Sequence, residues 1–157
     1  MTLQVSTGFK TDILGPSSFE SIFNSGVIRV FSGLQPTTAD MAEQGTLLGL
    51  ITLNGDFWLP NYRVNGLTFT RSGPYIVKLP WQRWEIVPSS NGTAGWWRLI
   101  TPLDDGNPSY SLPRIDGAIS ADPASGAEMI LASTTLTTGT AIPLDSFLYT
   151  IPPIIGG

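Results

Sequence analysis

The sequence predicts an all-β protein, a two-sheet β-sandwich of jelly-roll type with one short helix near its N-terminus. Three observations carry this. Segments of alternating or β-branched apolar residues recur with turn signals about every 8–12 residues. Gly (17) and Pro (13) are abundant, as many tight turns require. Finally, no helical pattern is long enough to cross over between parallel strands.

Residues 1–16 read as an extended arm ending at Gly15-Pro16, and residues 17–157 as a single domain. Ser17 or Ser18 can cap a helix reaching about Asn24. Its apolar face is Phe19, Ile22 and Phe23, and Gly26 is placed to stop it. Val27–Phe31 is a strand by alternation. Residues 32–45 form a polar connection containing Pro36 and a possible helical turn at 38–43. Residues 46–53 are apolar on both sides, hence a buried strand, and Asn54-Gly55 is a strong turn signal. Further strands are read at 66–70, 75–79, 83–87, 94–101, 114–120, 128–131, 138–144 and 147–151. Asn91-Gly92 is expected to form a hairpin into the 94–101 strand. The ending Pro152-Pro153 cannot continue a central strand.

Charge and composition narrow the function. The chain has no His and no Cys, and only 13% of it is charged, against about 25% in average proteins. Most acid–base, nucleophilic and transition-metal chemistry uses His or Cys. The expectation is therefore a protein that is not an enzyme and needs no cofactor. A net charge of −4 argues against nucleic acid and against an acidic membrane surface as partners. The N-terminus has no basic stretch leading into an apolar one, which argues against a secretory signal. No apolar run approaches the ~20 residues of a membrane span.

Each candidate site has a structural alternative. Asp104-Asp105-Gly106-Asn107 resembles the start of a calcium loop but lacks the regular acidic spacing; a solvated turn is the simpler reading. Arg114 and Asp116 share a strand face, as do Arg83 and Glu85. Either pair could be an acid with its electrostatic partner, but a solvent-facing or intersubunit ion pair is simpler. Asp56, Glu85 and Asp116 cannot be placed opposite one another as a glycosidase would need. Asn91-Gly92-Thr93 matches a glycosylation acceptor, read instead as the hairpin turn. Five Trp (58, 81, 84, 96, 97) fall in the middle third. Trp96 and Trp97 must point to opposite faces of a shared strand, one toward core and one toward surface. Trp81 follows Leu79-Pro80 in an apparent bend and is expected to be exposed. An exposed Trp beside Arg63, Arg71 or Arg83 would suit a sugar or a subunit contact.

Several segments taken together resemble small virion structural proteins of tailed bacteriophages. They are the run from Gly26 to Asp40, Gly45-Thr-Leu-Leu-Gly49, Gly92-Thr-Ala-Gly-Trp-Trp-Arg-Leu99, Arg114-Ile-Asp-Gly117 and the ending Leu144–Pro152. The likeness runs in order from about residue 5 to 152. It departs most at 54–90, where Tyr62, Trp81 and Trp84 replace smaller residues. The resemblance implies a place in the virion and transfers no catalytic motif. Proteins of this kind commonly act as capsid decoration (cement) proteins, or as tail or head–tail accessory proteins. The expected role is a cement protein, made in the bacterial cytoplasm and bound outside the shell to the major capsid protein as a homodimer or trimer. A carbohydrate-binding module on the virion surface is the alternative, and a polysaccharide-degrading enzyme a more distant one. The expected contact residues are Leu3, Val5 and Phe9 of the arm, Phe19 and Phe23 of the helix, and Trp81 and Trp84.

Overall fold

Apolar alternation on both faces of the central strands builds one dominant sheet, and two short helices close one end of its core. The computed structural model describes residues 3–150. The elements run β1 (Gln4–Val5), α1 (Thr7–Leu14), α2 (Phe19–Phe23), β2 (Val27–Ser32), β3 (Leu47–Leu53), β4 (Phe69–Ser72), β5 (Tyr75–Lys78) and β6 (Trp84–Ile86). They continue with β7 (Gly92–Ile100), β8 (Arg114–Ser120), β9 (Met129–Ile130), β10 (Thr135–Leu136), β11 (Ile142–Leu144) and β12 (Leu148–Tyr149). The large sheet has nine strands along the path β1-β8-β7-β2-β3-β6-β11, with β10 beside β7 and β9 beside β8. The small sheet is β12-β5-β4. Every pairing is antiparallel except β8 with β9. The all-β class read from the sequence is the one observed.

The small sheet and both helices cover one face of the large sheet. Phe9, Phe19 and Phe23 pack there against Phe69 and Tyr149, over Ile28, Val30, Leu99 and Ile115. Their rings sit 5.0–6.1 Å apart, centroid to centroid, within the range where aromatic pairs attract beyond simple burial. Residues 1–16 are not an extended arm throughout. Residues 7–14 form α1, capped by Ser6, whose side chain accepts from the Phe9 N–H. Phe9 anchors this helix in the aromatic cluster, and Gly8 lets it approach the 111–112 backbone, where a Cβ would come within 2.4 Å of the Ser111 carbonyl oxygen. The second helix follows the sequence reading closely. Ser18 and Ser21 exchange side-chain and backbone hydrogen bonds in a capping box.

Two other readings are corrected. No helix forms at 38–43. Asn91-Gly92 is not a hairpin turn either, because β6 pairs with β3 and β11 while β7 pairs with β2, β8 and β10. Asn91 Oδ1 instead accepts from the Thr138 N–H and hydroxyl at 2.7 and 2.9 Å. Gly92 packs closely under Leu48, whose methyl group a Cβ there would meet at 2.8 Å. Asn54-Gly55, by contrast, has positive φ at both residues (59° and 71°), the geometry this dipeptide favours.

The outer face of the large sheet is also buried, but under loops. Register places Arg29 opposite Arg98, and Arg98 opposite Asp116. Residues 33–46 and 101–111 cover this row. Arg98 grips Asp116 through two parallel bonds of 2.7 and 2.8 Å, and Arg114 grips Asp104 the same way. All four side chains are fully buried. Both arginines also donate to the Met41 carbonyl. This is the fork geometry that suits guanidinium to carboxylate. The expectation of a solvent-facing Arg114–Asp116 pair is therefore corrected: each residue has a different partner, and both pairs lie inside. Asp104 accepts from the Gly106 N–H as the expected local turn requires, but the turn is not solvated at this residue, because its carboxylate is buried against Arg114.

Candidate interaction surfaces

The expected contact residues divide sharply between core and surface. Phe9, Phe19, Phe23 and Trp84 are 0–4% exposed and offer no area to a partner. In the sequence they stand out as large apolar residues near a terminus or a bend, but the tertiary fold uses them as core. Trp84 lies under Phe69 and Phe147, and its indole N–H donates to Gln82 Oε1 at 2.9 Å. Val5 is half-buried in β1. Leu3 remains at the surface, and Trp81 is 81% exposed. The structure thus joins the three Phe in one cluster and leaves Trp81 alone outside it.

Trp81 stands at an end of the large sheet that also carries two other exposed aromatic residues. Leu53 of β3 lies opposite Trp84 of β6, so the segment after β3 and the turn before β6 emerge at the same end of the sheet. The Asn54 N–H donates to the Arg83 carbonyl, tying the two together. The 54–65 segment presents Phe57 and Tyr62, 82% and 77% exposed. It is held firmly beneath them. Leu59 and Val64 bridge, Asn65 Nδ2 donates to the Phe57 carbonyl, and Trp58 donates to the Ser25 carbonyl. Three large aromatic side chains are therefore exposed on hydrogen-bonded segments at one end, or rim, of the large sheet. A signal existed in the sequence: aromatic residues between Asn54-Gly55 and Asn65-Gly66, where turns usually carry polar side chains. A groove of about 460 Å³ adjoins this rim, lined by Leu47, Leu50, Thr52, Asp56, Phe57 and Trp58 among others.

Trp96 and Trp97 point to opposite faces as expected, but both are buried, because the loops roof the outer face. Trp96 stacks on Phe31 at 4.4 Å, receives Arg98 over its ring at 5.3 Å and donates to the Gln44 carbonyl. Trp97 lies on the core side, near Phe147. Arg83 and Glu85 form an ion pair at the sheet end, with Arg83 exposed and Glu85 largely covered.

Glu43 reaches from the 33–46 loop to Arg29 at 3.1 Å. Burial holds its pKa above the usual carboxylate value, and Arg29 and Arg98 only partly offset this. Such a group binds its proton more tightly when folded. Its favourable contribution is complete below the ordinary glutamate value and is lost as pH rises through the higher folded value. Urea denaturation of the wild type and Glu43→Gln from pH 4 to 7 should show the wild type losing stability relative to the variant as pH rises. Parallel curves would contradict this assignment.

Comparison with known proteins finds no matching family model, no matching curated protein and no matching solved structure.

Proposed function

We propose that this chain is a non-catalytic structural protein of a bacteriophage virion, a cement protein that attaches to the major capsid protein on the outside of the shell. The observation that carries the reading is the rim of Phe57, Tyr62 and Trp81. Large aromatic residues on well-held turns supply contact area at low ordering cost and are enriched at protein interfaces. The resemblance in the Gly26–Asp40, Gly92–Leu99 and Leu144–Pro152 blocks supports the virion setting. Attachment at many equivalent shell positions, strengthened further if the protein binds as a dimer or trimer, would turn modest contacts into strong retention.

The test is direct. Purified protein added to shells lacking it should co-sediment with them and raise the temperature at which they open. Trp81→Ala with Phe57→Ala should weaken retention at least tenfold, since central interface aromatics commonly contribute about 2 kcal/mol or more each. No sedimentation of the wild type with such shells would overturn the assignment.

A second reading, a virion-surface module for a glycan, is favoured by the groove beside the rim. Phe57 and Trp58 line it together with Asp56 and Thr52, a combination of ring faces and polar groups suited to a sugar. Titration with host surface glycans, followed by Trp fluorescence, separates the two: saturable change with glycan and none with shells favours this one.

A further inference from the structure

The N-terminal segment 4–14, made of β1 and α1, is held by distant parts of the chain. Gln4 Nε2 donates to the Thr37 carbonyl at 2.7 Å. Thr7 donates to the Asp40 carboxylate through its N–H and its hydroxyl, each at 2.7 Å. Ser6 donates from its N–H to the Arg114 carbonyl and from its hydroxyl to the Leu112 carbonyl, and that hydroxyl accepts from the Arg114 N–H. Phe9 enters the aromatic cluster beside Phe23 and Tyr149. The seat is specific. A side chain at position 8 would collide with the Ser111 carbonyl, and an apolar residue at position 6 would deprive the Arg114 N–H of its acceptor.

A short hinge joins this segment to α2. Leu14, Gly15, Pro16, Ser17 and Ser18 are all exposed. Gly15 and Ser18 are extended, with ψ of −154° and 162°. Pro16 fixes its own φ and keeps Gly15 away from helical conformations, so the hinge cannot coil more tightly. The reversal between α1 and α2 therefore falls on a few stiff residues, the circumstance in which an element is readily traded between copies. Leu14 borders the hinge and is 87% exposed. Two hinges crossing at a two-fold axis would cover one Leu14 with the other.

We propose that two copies of this chain exchange the 4–14 segment, each placing its β1 against β8 of the other copy and its Phe9 in the other's aromatic cluster. The occupant is the segment already seen in the seat, and every contact described above is open to the same segment of a second copy. With contacts unchanged, the balance turns on the hinge and on concentration. A short linker holds its own segment at an effective concentration of about 1 mM, so exchange competes as copies approach that density. Exchange uses residues other than those of the Trp81 rim and does not depend on attachment to shells.

The chain has no Cys, so introduced thiols are its only ones. In the variant Thr7→Cys with Asp40→Cys they replace two side chains already in contact. The variant is incubated at about 1 mM, the effective concentration of a short linker, or a thousandfold more dilute, then oxidised and run on a non-reducing gel. A closed chain links within itself, whereas exchanged chains link to each other. The concentrated sample should give a disulfide-linked dimer and the dilute one a monomer. Light scattering of the unsubstituted protein should show the same shift, a readout that does not rely on the thiols. Inserting Gly-Ser-Gly-Ser-Gly-Ser after Gly15 relaxes the hinge and should remove the dimer from both measurements. Within-chain links alone at the high concentration would overturn the proposal, as would a scattering mass of one chain there or a dimer that the longer hinge leaves intact.

Discussion

Replacing Asp116 with alanine should destabilise the protein by about 3–5 kcal/mol, the usual cost of removing one partner of a buried ion pair. The cause is what remains. Arg98 keeps its charge inside the sheet, with both short bonds to Asp116 gone and the Met41 carbonyl, the Trp96 ring and the field of the nearby Glu43 left to face it. Chemical denaturation measures this, and a loss below about 1 kcal/mol would show that water reaches Arg98 and that the roof over the sheet is open. The paired variant Arg98→Met with Asp116→Leu is expected to recover much of the loss. Replacing both ions with apolar residues of similar volume removes the desolvation penalty together with the attraction. Failure of the pair to recover anything would mean that the Arg98–Met41 link is what holds the 33–46 loop in place.

The second large effect separates two tryptophans three positions apart. Trp84→Ala should cost about 3–5 kcal/mol, because it empties the space under Phe69 and Phe147. Trp81→Ala should change stability by less than about 0.5 kcal/mol, as exposed positions do, while weakening attachment to shells. Thermal unfolding and co-sedimentation of the two variants, measured side by side, give opposite patterns. Equal destabilisation would mean that Trp81 is not free at the surface.

The contrast shows where sequence reading succeeds and stops. Alternation exposed Val27–Phe31 and Arg114–Ser120 as strands, because the side-chain period of a strand is local. The Ser18 cap and the Asn54-Gly55 turn were legible for the same reason. By contrast, α1 was not legible. Its packing depends on Gly8 meeting Ser111, a contact spanning more than a hundred positions, and a glycine inside a helix argues against that helix on propensity alone. The ion pairs are not legible in the sequence, because Arg98 meets Asp116 only once the register of β7 on β8 is known. Trp81 could be separated from the core by its place after a proline bend. Trp84, in the strand that follows, could not be assigned to the interior without knowing what lies across from it.

The link between β1 and β8 has a consequence for synthesis. Ser6 donates to the Leu112 carbonyl and accepts from the Arg114 N–H, spans of 106 and 108 positions. On a ribosome adding ~5–20 residues each second, the first strand therefore waits roughly 5–20 seconds for the chain that will hold it. During that interval Phe9, Phe19 and Phe23 lack the part of their cover that β7 and β8 supply through Leu99 and Ile115. The nascent segment 4–23 is then the stretch on which a holding chaperone would act, and slowing translation before Arg114 should lengthen that exposure.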